Sequence, residues 1–157
     1  MIKHFHIFDC DGVLLDSTHR YRTMPCGTRI DLDYWIAGCT PEKIWQDKVL
    51  PMAKHYADVL ADAEHFVMIA TARVCQQADF DSIAHKLGFP QSFAHRKAGD
   101  HQSGVTLKLT AIRRLLNLKQ FQGLESITMY EDNQAYLDGV GDAIGAKKVY
   151  IPSNQGH

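Results

Sequence analysis

The chain has 157 residues, 45% of them apolar and 22% charged, with a formal net charge of −1. That size suits one domain with a sizeable core, and the near-neutral balance excludes a global field drawing the chain to nucleic acid or a membrane. No apolar run reaches spanning length and the start, Met1-Ile2-Lys3-His4, does not resemble an export signal, so the expectation is a cytoplasmic protein with no membrane partner. Cys10, Cys26, Cys39 and Cys75 are widely spaced with no C-x-x-C, and read as free thiols. No ligand spacing joins them to the nine histidines as a zinc site.

His4-Phe8 is a short apolar and aromatic segment with strand character. It runs into Asp9-Cys10-Asp11-Gly12, two carboxylates two residues apart followed by a turn glycine. Carboxylates this close repel, so either one is kept protonated or a hard cation such as Mg²⁺ sits between them; a plain polar turn is the third reading. Thr18 to Thr40 lacks clear periodicity and reads as a loop or flap within about residues 13–40. Thr40-Pro41-Glu42 is a helix start, and Ile44, Trp45, Val49, Met52, Tyr56 and Leu60 continue near helical spacing, with Pro51 a kink or restart.

Phe66-Ala70 is a continuous apolar run suited to a strand buried on both faces, ending in Thr71-Ala72-Arg73. A helix around Phe80-Leu87 closes at Gly88, Ser92-His95 reads as a short strand, and Val105, Leu109, Ile112 and Leu116 mark a further amphipathic helix. Ser126-Tyr130 is another strand, ending in Glu131-Asp132; a small-residue helix over Ala135 to Gly145 leads to a last strand, Lys148-Ile151. Strands alternating with helices predict an α/β fold: a Rossmann-like three-layer sandwich with a mostly parallel central sheet, in a single domain over residues 1–157.

Ligands of such sheets gather at the carboxyl ends of the strands. Three predicted strands end there in Asp9/Asp11, Thr71/Arg73 and Glu131/Asp132, and Lys108 lies near a helix start that reaches the same edge. Carboxylates around a cation, with a lysine, a hydroxyl and an arginine, suit a phosphate ester. The cation and Lys108 offset phosphoryl charge, Thr71 donates a hydrogen bond, and Arg73 or Arg96 grips other oxygens. A carboxylate also serves as a nucleophile, giving an aspartyl-phosphate.

D-x-D-G-x-L after the first strand, T-x-R after the second, a lysine, then an acidic pair resembles the haloacid-dehalogenase-like (HAD) phosphotransferases over nearly the whole chain. Receiver domains of response regulators use similar groups, but in another order. The resemblance implies Asp9 as nucleophile, Asp11 as general acid and base, and Thr71 and Lys108 as phosphoryl ligands. It also implies Mg²⁺ held by Asp9, the Asp11 carbonyl and Asp132, with Glu131 orienting the metal's waters. Val13 stands where many family members have threonine, and Glu131 replaces the commoner aspartate. Asp31-Leu32-Asp33, Leu50 to Ala57 and Arg96-Lys97-Ala98-Gly99-Asp100 are similar to the 3′-phosphatase domain of phage polynucleotide kinase-phosphatases, which implies Arg20, Arg73 and Arg96 as substrate-binding groups. The kinase P-loop of those proteins is absent.

The intervals between motifs leave no room for a sizeable cap domain, and an open site admits the end of a large molecule. Arg96, Lys97, Lys108, Arg113, Arg114 and Lys119, against Asp100 alone, form a basic stretch that could follow a phosphate backbone or lie on a solvated helix face. Tyr21, Tyr34 and Trp35 suit either stacking on a base or packing. The expected substrate is therefore a phosphorylated nucleotide or nucleic-acid end bearing a 3′-phosphate. The alternatives are a small-molecule phosphatase (a 5′-nucleotidase or sugar phosphatase), with the flap or the partner of a homo-oligomer as its lid, and a non-catalytic binding protein.

Overall fold

The computed structural model of the chain describes residues 1–27 and 29–153; Thr28, inside the expected flap, lies outside them. Five parallel strands form the central sheet: β1 (His4–Phe8), β4 (His65–Val74), β5 (Ser92–Arg96), β6 (Ser126–Glu131) and β7 (Lys147–Tyr150), in the order β5-β4-β1-β6-β7. The alternating side chains of β1 separate two cores. Phe5 and Ile7 join Phe66, Met68 and Met129 beneath α5 (Gly104–Leu116) and α6 (Gln134–Ile144), which contribute Ile112, Leu137 and Val140. Phe8 joins Val67 and Ile69 beneath α3 (Met52–Leu60) and α4 (Gln77–Lys86), which contribute Tyr56, Val59 and Ile83. Helices thus cover both faces of the sheet, as the pattern of elements predicts.

The stretch before β4 departs from the reading as a loop plus one kinked helix. Residues 15–49 are bracketed by an antiparallel pair, β2 (Leu15–Asp16) and β3 (Lys48–Val49). Between them stand a 3₁₀ turn (Thr18–Arg20), α1 (Leu32–Ala37) and α2 (Pro41–Trp45). Helix α1 escapes periodicity because it buries no apolar stripe: Leu32 and Ile36 are exposed, and its visible signal is Asp31, whose carboxylate caps the Tyr34 amide. The expected kinked helix divides into α2 and α3 because β3 lies between them, and Pro51 starts the second.

The helix start read at Thr40-Pro41 holds, Thr40 capping α2 through the Lys43 amide. Ser103 caps α5 through the Thr106 amide, Asn133 caps α6 through the Tyr136 amide, and α6 ends at Gly145 with φ +66°. Among the described residues no helix is long and apolar enough to cross a membrane.

The α3 side of the sheet carries a chain of rings. His6 Nε2 lies 2.7 Å from His65 Nδ1, His6 Nδ1 lies 3.0 Å from Tyr130 Oη, and His55 Nε2 lies 2.9 Å from the same hydroxyl. Burial, reinforced by His65 and His55, pushes the His6 imidazole from the ordinary 6.5 down to about 4. The unfolded chain therefore takes up this proton first. The stability is complete above pH 6.5 and falls as the pH drops toward 4. The urea midpoint is expected to decline across that window in the wild type and to decline less in His6→Phe; parallel curves would refute the assignment.

Candidate active site

Parallel pairing places the ends of β1, β4 and β6 side by side: Phe8 is in register with Ile69 on one side and Tyr130 on the other. The polar residues follow at once in β1 and β6, as Asp9 and Glu131, and one residue later in β4, as Thr71 after Ala70. The Asp9 amide donates to the Tyr130 carbonyl at 3.0 Å, carrying the strand one residue further before the chain turns. The turn is closed by the Cys10 carbonyl, which accepts from the Leu14 and Leu15 amides at 3.0 and 3.1 Å. Gly12 has φ +81°, and a Cβ there would stand 2.1 Å from Asp132 Oδ2, so only glycine lets this turn and Asp132 approach so closely.

Lys108, in α5, reaches down into the sheet edge and is 1% exposed. Its ammonium donates to Asp9 Oδ1 at 3.1 Å and Glu131 Oε2 at 2.9 Å. Burial works against the charged ammonium, but Asp9 and Glu131 outweigh it and hold its pKa above the ordinary lysine value. The carboxylates are not satisfied in return. Burial, the Glu131 charge and the Asp132 charge push Asp9 well up against the pull of Lys108, and burial likewise raises Glu131.

One oxygen from each of Asp9, Glu131 and Asp132 lies within 4.8 Å of the others. Glu131 Oε1 is buried without a hydrogen-bond donor among the described residues. Three buried carboxylates around one ammonium leave an excess of negative charge, and hard oxygen donors at this spacing fit a divalent cation such as Mg²⁺.

Asp11 occupies different surroundings. Its carboxylate receives Arg73 on both oxygens, Nε at 3.1 Å and Nη2 in close contact, and the Ser17 hydroxyl at 3.0 Å. Burial alone would raise it, but the Arg73 guanidinium prevails and holds the carboxyl below the ordinary range. The Asp11 side chain is thus turned away from the three-carboxylate cluster. Thr71 is buried in β4, its hydroxyl accepting the Arg73 amide at 3.2 Å.

The three arginines expected at the substrate are bonded to protein acceptors. Arg20 forms a two-point pair with Asp47, Nε at 2.9 Å and Nη2 at 2.8 Å. Arg73 divides its donors between Asp11 and Asp79. Arg96 donates to the carbonyls of Ala72, Asp100 and Gln102, tying the chain after β5. The basic stretch is broken up in the same way, since Lys108 is buried and Arg96 is occupied by backbone; Lys97, Arg113, Arg114 and Lys119 remain exposed. Trp35 lies against two guanidiniums, with Arg20 at 4.4 Å and Arg73 at 5.5 Å from its ring centre, and Tyr34 against that of Arg22 at 4.3 Å.

Asp47, Asp79 and Ser17 were not among the expected site groups. Asp79 had a legible signal, the capping box it forms with Gln76 at the start of α4. Asp47 had none, since nothing in Trp45-Gln46-Asp47-Lys48 marks it as buried. A cavity of about 460 Å³ opens beside the turn, walled by Gly12, Val13, Leu50, Pro51, Ile151 and Ser153 among others. It adjoins the carboxylate cluster through Gly12 and through Ser153, whose hydroxyl donates to Asp132 at 2.6 Å.

Residues 1–86 match the family described as bacteriophage T5 5′-deoxynucleotidase. A 5′-deoxynucleotidase of Escherichia phage T5 is 31% identical over 83 residues, which are 50% of this chain and 33% of that protein. This chain therefore aligns with only about a third of that relative's length. Among solved structures, the Pnkp1/Rnl/Hen1 complex aligns with 97% of this chain and 47% of its own matched chain, at a TM-score of 0.63 and 14% identity. A haloacid dehalogenase-like hydrolase from Streptococcus pneumoniae aligns with 98% of this chain and 88% of its own, at 0.62 and 15%. At such identities the likeness is one of fold, and the fold is HAD-like. The family match ends with α4, so it contains Asp9, Asp11, Thr71 and Arg73, whereas Lys108, Glu131 and Asp132 join them through the geometry alone.

Proposed function

This chain belongs to the bacteriophage T5 5′-deoxynucleotidase family, and from that premise we propose that it is a Mg²⁺-dependent phosphomonoesterase acting on deoxynucleoside 5′-monophosphates through an aspartyl-phosphate on Asp9. The observation that carries this reading is the buried contact of Lys108 with Asp9 and Glu131, beside Asp132, at the strand ends where the family-matched motifs converge.

In the proposed reaction an Asp9 oxygen attacks phosphorus, the bond from phosphorus to the 5′-oxygen breaks, and Asp11 gives its proton to that oxygen. Asp11, now a carboxylate, takes a proton from water as the water oxygen attacks the phosphoenzyme. The acyl-phosphate P–O bond breaks, inorganic phosphate leaves and Asp9 is regenerated. Arg73 holds Asp11 in the base form that the second step requires. A phosphate dianion arriving alongside adds negative charge and shifts Asp11 toward the acid form required by the first. Lys108 and the Thr71 hydroxyl are the groups proposed to meet the phosphoryl oxygens. Mg²⁺ held by Asp9 and Asp132, with Glu131 and the Asp11 carbonyl beside them, would keep Asp9 ionised and offset phosphoryl charge.

The 3′-phosphate reading came from the resemblance to phage 3′-phosphatase domains, the open site and the basic stretch. The protein contacts of Arg20, Arg73 and Arg96 remove the substrate grip it implied, and the family match supports the 5′-nucleotide reading instead. Phosphate release with Mg²⁺ should be fastest from deoxynucleoside 5′-monophosphates, slower from ribonucleotides and 3′-mononucleotides, and slowest from 3′-phosphorylated oligonucleotides. Preference for the oligonucleotides would restore the 3′-end reading, and preference for sugar phosphates would overturn both.

A further inference from the structure

Beneath the segment between β2 and β3, charged side chains from four parts of the chain meet out of water. Asp47, just before β3, is 3% exposed, and it takes the Arg20 guanidinium on both oxygens and His19 Nε2 at 2.8 Å. Its Oδ2 also lies 3.6 Å from Arg73 Nη2, the nitrogen that grips Asp11. The Asp47 backbone is itself held, because Lys86 at the end of α4 donates to the Asp47 carbonyl at 2.6 Å and the Trp45 carbonyl at 2.7 Å. The Trp35 ring lies against both guanidiniums.

Two arginines this close repel, and Asp47 is the carboxylate between them. Remove its charge and Arg20 loses its two-point partner, leaving Asp11 as a nearby carboxylate for both guanidiniums. Arg73 then no longer has one orientation in which Nε and Nη2 meet Asp11 while Nη1 meets Asp79. A planar fork transmits orientation in a way that a single point charge does not.

We propose that Asp47 is a positioning residue for the reaction: by holding Arg20 off and Arg73 in place, it sets the orientation of the Asp11 carboxylate and couples the β2–β3 segment to the reacting centre. This rests on the reading of Asp11 as the proton-transfer group. The role concerns the chemical step, so its loss moves kcat and leaves KM.

The test uses the full chain in three forms: wild type, Asp47→Asn, and the paired variant Arg20→Met/Asp47→Leu. Replacing a buried ion pair by apolar groups of similar volume preserves or raises stability, so the paired variant stays folded even if the single one does not. Each is assayed with Mg²⁺ on a deoxynucleoside 5′-monophosphate and on p-nitrophenyl phosphate, whose good leaving group needs little protonation. The expected result is a fall in kcat on the nucleotide of at least about tenfold in Asp47→Asn, where a 1 Å misplacement costs about 100-fold. A smaller fall is expected in the paired variant, which loses the Asp47–Arg73 contact but has no Arg20 left to compete for Asp11. KM should stay within about threefold, and the loss in kcat/KM, which reports the first step alone, should be smaller on p-nitrophenyl phosphate. Wild-type kcat in the folded paired variant, a loss confined to KM, or equal losses of kcat/KM on the two esters would each overturn the proposal and leave the phosphatase reading standing. A wild type that hydrolyses neither ester overturns both.

Discussion

Asp9→Asn is expected to abolish turnover, with phosphate release falling by about 10⁴-fold or more, as expected when the nucleophile of a covalent mechanism is lost. The amide matches the carboxylate in shape, so the fold should survive. Stability is expected to move the other way from activity. Asp9 is raised well above its ordinary pKa by burial and by the Glu131 and Asp132 charges, so it is a strained carboxylate near neutral pH without a cation. A folded pKa above the unfolded one means stability is lost as the pH rises and the unfolded chain gives up its proton first. A neutral side chain removes that loss. Without Mg²⁺, the unfolding midpoint at pH 7.5 should match or exceed that of the wild type, while added Mg²⁺ should stabilise the variant less. Activity within tenfold of wild type would refute the covalent step, and a markedly lower midpoint would refute the electrostatic account.

Lys108→Met should damage both properties. It removes the ammonium bonded to both Asp9 and Glu131 and leaves two buried carboxylates without that partner. Breaking a buried pair from one side costs about 3–5 kcal/mol, and losing a charge that is proposed to meet the phosphoryl group is expected to cost about 10²–10³-fold in kcat. The pH dependence separates this from a packing defect. With the lysine absent, Asp9 and Glu131 take up protons more readily in the folded state, so the deficit shrinks as the pH falls. Thermal unfolding of wild type and variant at pH 7.5 and pH 5 checks this; an equal difference at both would mean that the methionine simply packs badly. In the Asp9→Asn background the same substitution should cost less, since one of the two stranded carboxylates is gone.

The fold was legible because the signals were redundant. The apolar run at Phe66-Ala70, the helix start at Thr40-Pro41, and the alternation of strands with helices all specify one architecture. Asp9, Thr71, Lys108, Glu131 and Asp132 were legible because parallel strands deliver their following residues to one edge. The contacts of the arginines were not. Arg20 and Arg73 are long, and whether a guanidinium meets a substrate or a carboxylate of its own chain depends on where Asp47 and Asp79 fall in space. Asp47 lies in an unpatterned stretch between a one-and-a-half-turn helix and a two-residue strand, elements too short to leave a period. Helix α1 was missed for the related reason that an exposed helix needs no apolar stripe.

The sheet order places the first strand of the chain at its centre, and this bears on how the protein comes into being. Strand β1 cannot acquire either neighbour locally: His4 is in register with His65 of β4, 61 residues on, and with Ser126 of β6, 122 residues on. Loops of that length must close before any of the contacts that reward them exist, which makes such topologies slow to fold. During synthesis β1 emerges before both partners and waits, its apolar residues unpaired, until β4 and then β6 leave the ribosome. Asp9 and the acidic pair Glu131-Asp132 therefore come together only when nearly the whole domain has been made, so partial chains carry the first motif without the candidate site.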